Sequence, residues 1–219
     1  MESKLFLVAQ APGEKEDRMD RMFIGPSGKV LDMLLEEAEI DRKQVYMTNL
    51  IKCTLPKNRK PKMDEIECCG YFLDREISII HPEVIVPLGY YVTRYILTKY
   101  HTNPPSARVD FTKLYGELIF PEGQKIYPLP HPASLLYNPS FENETIEKYK
   151  KLQILLQDCK WFPSCPMKRF YEEGRLESKW IELYCKGDWK NCVRYEMEER
   201  VIYHPDWMLP DGSMDERLK

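Results

Sequence analysis

Polar side chains that could bind a ligand and move a proton follow three of the short apolar segments of this chain. They comprise two amides, two carboxylates and one imidazole: Gln10, Asn49, Glu16, Asp17 and His131. Amides bind polar ligands through paired hydrogen bonds, and carboxylates and imidazoles are the usual general acids and bases of active sites. These groups can act together only if the fold brings the ends of the three segments to one place.

Four short apolar segments, each bounded by turn-forming residues, predict β-strands. They are Leu5–Ala9, Val45–Asn49, residues 84–88 and residues 125–129. The first is an uncharged run that stops at an Ala-Pro-Gly turn, as is typical of a buried parallel strand that delivers a polar loop to a crevice.

Helical periodicity fills most of the stretches between these strands. Two helices have predicted N-caps, Ser27 and Asp64. Their inner faces carry Val30, Leu31, Leu34 and Leu35 in the first helix and Ile66, Leu73, Ile77 and Ile80 in the second. Two further helices are expected at residues 90–99 and 142–157, and an irregular or antiparallel excursion at residues 108–123.

Strands that alternate with helices predict an α/β fold, a three-layer α/β/α sandwich with a central parallel four-stranded sheet. The carboxyl ends of parallel strands line one crevice, so Gln10, Asn49 and His131 are expected to face one ligand. The length of 219 residues suits one such domain, predicted at residues 1–158. Residues 159–219 differ in texture, being rich in Trp, Tyr, charge and Cys, and are predicted to form a small Cys-rich C-terminal module.

Composition narrows the class of protein. The hydrophobic content of 43% supports a packed core, while no apolar run is long enough to span a bilayer. No secretory signal follows Met1, so we expect a cytoplasmic protein without a membrane partner. We also expect a monomer. The formal net charge of −3 argues against wholesale coating of a polyanion but permits a local basic face.

Five ordered motifs resemble those of the family-four uracil-DNA glycosylases, over about residues 4–157. They are Ala11-Pro12-Gly13-Glu14-x-Glu16-Asp17, Phe23-Ile24-Gly25-Pro26-Ser27-Gly28, Thr48-Asn49-Leu50-Ile51-Lys52-Cys53, Pro56-x-Asn58-Arg59-x-Pro61 and His131-Pro132-Ala133-x-Leu135-Leu136-x-Asn138-Pro139. The resemblance implies a DNA glycosylase that flips uracil out of DNA, hydrolyses its N-glycosidic bond and so initiates base excision repair. It also implies uracil-containing DNA as the partner.

The same resemblance implies roles for single residues. Asn49 would read the edge of the flipped base, His131 would donate to O2 of the leaving base, and Glu16, or Asp17 beside it, would orient the attacking water. The implied uracil-binding residues are Gln10, Ala11, Phe23, Asn49 and His131. The implied DNA contacts are Arg59, Ser134, Leu135 and Leu136. Of these, the two leucines would wedge into the base stack, and Arg59 belongs to a charged run that is either a phosphate contact or a solvated loop.

Two departures from the family pattern bear on the chemistry. Gln10 stands where the family usually has an acidic residue, preceded by Ala9 where it has Gly. A neutral amide cannot act as a base, so water activation would fall more heavily on Glu16. Tyr137 replaces a usual Arg in the wedge loop, which removes a phosphate contact and offers a ring for stacking.

The seven cysteines suggest metal ligands in a reducing compartment, and their odd number excludes complete pairing within one chain. The resemblance implies a 4Fe–4S cluster held by two early and two later cysteines. Cys53 and Cys69 match the later pair, with Cys68 adjacent, whereas the early pair has no counterpart before the first strand. The tail could supply the missing ligands.

Two arrangements of the tail cysteines remain open at this point. In one, Cys53 and Cys69 share a single cluster with two tail cysteines. In the other, the tail holds its own site from Cys165, Cys185 and Cys192, together with Cys159. The alternative is that the tail cysteines are free buried thiols.

Two alternatives to a glycosylase remain. Gln10 favours a uracil-DNA binding module with little or no turnover, and the tail cysteines favour a redox-sensing iron–sulfur protein.

Overall fold

A computed structural model describes residues 4–100 and 110–219 of the chain. Four strands form one sheet in the order β2-β1-β3-β4, and every pair is parallel. The strands are β1 Leu5–Ala9, β2 Val45–Asn49, β3 Val84–Pro87 and β4 Lys125–Ile126. The predicted parallel four-stranded sheet is therefore confirmed. The last two strands are shorter than predicted, because beyond them only an isolated parallel bridge joins Leu88 to Leu129.

Helices cover both faces of this sheet. In the first 158 residues they are α1 Glu14–Met19, α2 Pro26–Glu37, α3 Met63–Ile80, α4 Tyr90–Tyr100, α5 Ser134–Tyr137 and α6 Glu142–Leu155. The tail adds α7 Pro166–Glu172, α8 Ser178–Trp180, which continues as a π-helical turn Ile181–Cys185, and α9 Val193–Glu199. Short 3₁₀ turns lie at Arg42–Gln44, Pro56–Asn58, Phe111–Leu114, Pro121–Gly123, Pro139–Phe141, Trp189–Asn191 and Glu216–Leu218.

The alternation of side chains along β1 divides the core into two layers. Leu5, Leu7 and Ala9 face one layer, which includes the buried residues of α2 and α6. Phe6 and Val8 face the other layer, which includes those of α3 and α4. All five residues are at most 2% exposed, as expected for a parallel strand covered on both faces. The three-layer α/β/α arrangement is confirmed.

Both predicted N-caps are wrong by two residues, since Gly25 and Lys62 hold these positions. The first long helix begins at Pro26 with Gly25 as N-cap, because proline needs no hydrogen-bond partner at the first helical position. Ser27 therefore lies inside the helix. The second begins at Met63, where the Glu65 carboxylate accepts the backbone N–H of Lys62 at 2.8 Å, and Asp64 lies within the first turn.

The remaining helix boundaries differ little from the prediction. α4 extends one residue further than expected, and α6 ends two residues earlier, at Leu155. Val30 is only partly buried, unlike the other three apolar residues predicted on that face. Residues 108 and 109 of the predicted excursion lie outside the described residues. The rest is irregular as predicted, with two 3₁₀ turns and an antiparallel bridge between Ile119 and Ile126.

The tail has a small apolar core of its own. Its buried members are Met167, Phe170, Leu176, Ile181, Cys185, Leu209 and Leu218. The buried Lys125 side chain at the β4 edge joins the tail to the sheet, donating to the carbonyl of Lys186 at 2.7 Å and pairing with Glu182 at 3.1 Å. The division at residue 158 stays a prediction, which this separate core supports. Among the described helices, none has the length and apolarity needed to cross a membrane.

Candidate active site

A cavity of about 490 Å³ lies at the carboxyl edge of the sheet. Among its lining residues are eight of the ten predicted to act in catalysis or to contact base or DNA: Gln10, Ala11, Glu16, Phe23, Asn49, Arg59, His131 and Leu136. The parallel register places Asn49 directly beside Ala9, so the loops after β1 and β2 open into the same space. The expectation that the strand ends share one crevice is met. Ser134 and Leu135 lie outside the cavity lining.

Asn49 presents an unused hydrogen-bond acceptor to this cavity. The residue is 5% exposed, its Nδ2 donates to the Met22 sulfur at 2.9 Å, and its Oδ1 is buried without a partner in the described part of the chain. A buried amide oxygen without a partner costs about 1–3 kcal/mol. Such a cost is typical of a group that is held ready for a ligand.

His131 is neutral in this site, and its proton position is fixed. Burial lowers the pKa of His131 to about 4. Nδ1 accepts a hydrogen bond from the backbone N–H of Ala133 at 3.1 Å, so the single proton of the neutral ring resides on Nε2. The residue therefore offers an N–H donor without a positive charge.

Phe23 forms part of the wall near His131, with 6.1 Å between the two ring centroids. Its φ of +53° is unusual for an aromatic residue and places it in the left-handed region. The Arg42 guanidinium holds this conformation by donating to the carbonyl oxygens of Met22 and Phe23 at 2.8 and 3.1 Å. Gly28 is required beneath it, because a Cβ there would lie 1.9 Å from the Phe23 carbonyl oxygen.

Glu16 and Asp17 have separate roles. Glu16 Oε1 accepts the backbone N–H groups of Ile24 and Gly25 at 3.1 and 2.8 Å, so this oxygen fixes the loop before α2. Oε2 has no hydrogen bond within the described residues. Asp17 accepts the N–H of Thr54 at 3.2 Å and does not line the cavity. Of the two carboxylates, only Glu16 is placed to face a ligand.

Gln10 and Ala11 form the wall contributed by the loop after β1. The Gln10 backbone carbonyl accepts the N–H of Ile51 at 2.9 Å, which continues the pairing of the two strands beyond their ends. Its half-buried side chain lines the cavity. Ala11 packs its methyl group against the core layer under α3 and α4. The neutral amide that replaces the family's usual acidic residue thus lies inside the site.

Arg59 lies at the cavity and is already paired. Its guanidinium binds both oxygens of Glu65, which lowers the pKa of that carboxyl to about 2. The pair ties the loop to the start of α3, where Glu65 also accepts the Lys62 N–H. Lys57 and Asn58, which precede Arg59, both have positive φ, of 55° and 51°. The DNA contact predicted for Arg59 would therefore use the N–H groups that this pair leaves free.

The two adjacent leucines of α5 lie in different surroundings, one in the core and one at the surface. Leu135 is 7% exposed and belongs to the core, so the wedge role predicted for it is wrong, because its side chain packs inward. Leu136 and Tyr137 are 47% and 82% exposed, and both line the cavity. Ser134 is exposed, and its hydroxyl donates to the His131 carbonyl at 2.7 Å. Leu136 and Tyr137 are therefore the apolar groups available at the rim.

The seven cysteines fall into two groups. Cys53 is exposed after β2, and Cys68 and Cys69 lie in α3, exposed and half-buried. The other four line one small cavity in the tail: Cys159, Cys165, Cys185 and Cys192. The tail joins the sheet at the β4 edge, whereas Cys53 follows β2 at the opposite edge. The order of the strands therefore argues against a single cluster that combines Cys53 and Cys69 with tail cysteines.

The fit of the family's cluster can be tested at Cys53 and Cys69. The described residues form no group of three His, Cys, Asp or Glu side chains placed to hold a metal ion. Near these two positions the only further cysteine is Cys68, which is exposed on α3. The residues present therefore do not complete a four-cysteine site there.

Sequence reasoning missed two residues that shape the cavity. Met22 contacts Asn49, and Arg42 holds the loop from outside. Met22 directly precedes Phe23, so its position next to a pocket residue was a signal. Arg42 had none, since it lies in a 3₁₀ turn 19 residues beyond Phe23.

Comparison with known proteins gives consistent matches. A family model described as "Uracil DNA glycosylase superfamily" matches residues 1–157. A type-4 uracil-DNA glycosylase of Sulfurisphaera tokodaii is 39% identical over 158 residues, 70% of each chain. Proteins with the same description from Saccharolobus solfataricus and Thermotoga maritima are 35% and 38% identical, covering 70% and 68% of this chain and 72% and 78% of their own.

Proposed function

The chain belongs to the uracil DNA glycosylase superfamily, and from this membership we propose that it hydrolyses the N-glycosidic bond of uracil in DNA. The observation that carries the proposal is the pairing of Asn49 with His131 in one cavity. One residue offers a buried, unused amide oxygen, and the other a neutral N–H donor. A base within a duplex must be flipped to reach such a cavity, at a cost of a few kcal/mol.

Asn49 would supply the discrimination between uracil and cytosine. Its Oδ1 would accept N3–H of uracil. Its Nδ2, which donates to the weakly accepting Met22 sulfur in this structure, would donate to O4 of uracil instead. Cytosine presents the reverse pattern at this edge and would leave buried groups unpaired. Sites built on such hydrogen bonds reject the wrong ligand strongly.

His131 would act on the leaving base. As the glycosidic bond breaks, negative charge develops on the uracil ring, and Nε2–H would donate to O2 in the manner of an oxyanion hole. The low pKa of His131 keeps the ring neutral, so Nε2–H would stabilise the developing negative charge as a neutral donor, with no protonation of the ring beforehand. Phe23 would stack on the ring that this geometry holds.

The attacking water would be held by the wall that carries Gln10 and Glu16. Glu16 Oε2 is the carboxylate oxygen available, because Oε1 accepts two backbone N–H groups. Gln10 would orient the same water by a hydrogen bond but cannot accept its proton. Hydrolysis passes through a sugar with oxocarbenium character, which the Glu16 carboxylate would stabilise electrostatically.

DNA would lie across the mouth of the cavity. Leu136 and Tyr137 would enter the base stack in place of the flipped nucleotide, and Ser134 and Arg59 would contact the phosphate backbone. The proposal includes action as a monomer in the cytoplasm. All seven thiols are free, as is typical of a reducing compartment.

A second candidate function is uracil-DNA binding with little turnover. It is favoured by one observation: the cavity wall carries the neutral Gln10 amide at a position where a carboxylate could act as a general base.

A 4Fe–4S cluster is the remaining part of what the family resemblance implies. Cys53 and Cys69 are the matching positions, but no step above depends on a cluster there.

The test uses the full chain with end-labelled oligonucleotides that contain a single uracil, cytosine or thymine. Alkali after incubation converts abasic sites into strand breaks. Strand breaks at uracil alone are expected, in single-stranded or duplex DNA. Binding to uracil DNA without breaks would favour the second candidate, and neither binding nor breaks would overturn both.

A further inference from the structure

Four of the seven cysteines surround one cavity of about 60 Å³ in the tail. Three of them, Cys159, Cys185 and Cys192, are buried, and Cys165 is half-buried. The backbone joins two of them directly, since the Cys159 N–H donates to the Cys185 carbonyl at 2.7 Å.

Two of the sulfurs are held by the same local arrangement. The Cys159 sulfur accepts backbone N–H groups from Trp161 and Phe162, and the Cys192 sulfur accepts those of Arg194 and Tyr195. In each case the donors are the second and third residues after the cysteine. Two of the four sulfurs are thus oriented by backbone N–H groups of the segment that follows each cysteine.

A buried cation lies beside these sulfurs. Arg194 is 3% exposed and lines the cavity, and its Nη1 donates to the carbonyl groups of Pro205, Asp206 and Met208. Its Nε has no partner, and among the described residues it forms no ion pair with a carboxylate. Buried charges are normally paired with opposite charge. A negatively charged group in the cavity would supply the missing charge.

Two further polar groups at the cavity lack partners within the described chain. The indole N–H of Trp189 is buried without an acceptor. His204 is also buried there, and neither ring nitrogen has a hydrogen bond, although Nε2 lies 3.1 Å from a Glu198 oxygen. Three side chains around one cavity thus carry buried polar atoms without a hydrogen bond, which points to a ligand that completes the site.

We propose that Cys159, Cys165, Cys185 and Cys192 bind a 4Fe–4S cluster in the tail cavity, separate from the position that the family resemblance assigns to Cys53 and Cys69. Four thiolates and a cluster carry net negative charge, which Arg194 would balance. Aromatic residues line the site, among them Trp161, Phe162 and Tyr184. The inference does not depend on the proposed glycosylase activity.

The size of the cavity favours a cluster over a single ion. Zinc bound by four thiolates needs Zn–S distances of about 2.3 Å, which draws the sulfurs close together. No described group of three potential ligands, the four tail cysteines included, is placed to hold a single metal ion. The cavity of about 60 Å³, which the four cysteines line together with twelve other residues, is instead several times the roughly 10–15 Å³ that one water requires, so it has room for a group larger than one ion.

The first test is the metal content of the full wild-type chain, purified without oxygen and then reconstituted with ferrous iron and sulfide. About four iron and four sulfide per chain are expected, with visible absorbance that bleaches on reduction. Absence of iron and sulfide would overturn the proposal, as would one zinc per chain in place of iron. This measurement needs no variant, so misfolding of a mutant cannot obscure it.

Matched cysteine variants then locate the ligands. Cys159→Ser, Cys165→Ser, Cys185→Ser and Cys192→Ser are each expected to lose bound iron, whereas Cys53→Ser, Cys68→Ser and Cys69→Ser retain it. Circular dichroism checks that each variant is folded. Iron lost from Cys53→Ser and Cys69→Ser but retained by the tail variants would overturn the assignment.

The role of Arg194 is tested by the reduction potential of the bound cluster. Arg194→Met is expected to shift the potential to more negative values, because it removes a positive charge near the cluster, while Arg194→Lys keeps the charge and shifts it less. Equal potentials in both variants would contradict this role.

The cluster and the glycosylase activity can fail separately. A chain that cleaves uracil DNA without iron would overturn the cluster alone, and an iron-loaded chain without cleavage would overturn the glycosylase alone.

Discussion

The Nδ1 atom of His131 accepts a hydrogen bond from the backbone N–H of Ala133 at 3.1 Å. The bond is local, spanning two residues, yet it fixes which nitrogen carries the proton. Together with burial, which lowers the pKa of His131 to about 4, it gives the cavity a neutral donor near neutral pH. The turnover of the proposed reaction is therefore tied to the conformation of the loop that follows β4.

The first prediction concerns pH and stability. The pKa of His131 is lower in the folded chain, at about 4, than the value of about 6.5 expected when unfolded. The unfolded chain therefore binds more protons between these values, and stability falls as pH falls through this window. Between pH 7 and pH 4.5, the free energy of unfolding of wild type should decrease by about 2 kcal/mol relative to His131→Gln. Urea denaturation at both pH values measures this difference, and an unchanged difference would contradict it.

Asn49→Asp should weaken the discrimination against cytosine. The change removes the Nδ2 donor proposed to bind O4 of uracil, so uracil excision should slow by at least about tenfold. Single-turnover rates on uracil and cytosine oligonucleotides measure both effects. Asn58→Asp is the matched control, because Asn58 is exposed at the cavity mouth. Unchanged rejection of cytosine would remove Asn49 from the proposed role.

Gln10→Glu should accelerate uracil excision. It places a second carboxylate in the cavity wall, and general-base assistance typically contributes about 10²-fold or more. Gln10→Met, which has similar length but no hydrogen-bonding group, is the control and should be slower than wild type. Single-turnover kinetics at pH 7 compare the three chains. If Gln10→Glu were no faster than wild type, Glu16 alone would be sufficient as the water-orienting group.

The two leucines of α5 should respond to truncation in opposite ways. Leu135→Ala should destabilise the chain by about 2–3 kcal/mol, because this side chain is buried in the core. Leu136→Ala should change stability by less than about 0.5 kcal/mol but weaken binding to uracil duplexes, since its exposed side chain is proposed to enter the base stack. Thermal denaturation and DNA titration separate the effects. Equal DNA affinity of wild type and Leu136→Ala would argue against the wedge.

Arg42→Met should loosen the Phe23 loop from outside the cavity. It removes both hydrogen bonds to the carbonyl groups of Met22 and Phe23, which together contribute about 1–3 kcal/mol. The excision rate at saturating DNA should fall, because Phe23 loses its fixed position. Lys43→Met, at an exposed neighbouring position, is the control. A lower stability with an unchanged excision rate would show that Arg42 supports the fold only.

Much of the fold follows from local patterns. The uncharged apolar run at Leu5–Ala9 predicts a buried parallel strand, and the structure has that strand at the same residues. The N-caps were less predictable. Ser27 and Asp64 are good capping residues, but Pro26 and the Glu65 carboxylate allow the helices to begin earlier. Capping depends on competition between neighbours, which a preference for single residues does not resolve.

The sequence by itself determined where the four strands lie along the chain and that their sheet is parallel. It also determined which polar groups meet at the carboxyl edge of that sheet. These follow from periodicity and from motifs in which each residue acts near its neighbours. Only the tertiary structure decided that one oxygen of Glu16 accepts backbone N–H groups of the loop before α2. It also decided that Leu135 packs into the core and that Met22 contacts Asn49. Only it separated the tail cysteines from Cys53 at opposite edges of the sheet. The reason is physical: which way a side chain points, and which distant elements pack against it, depends on the packing of the whole chain.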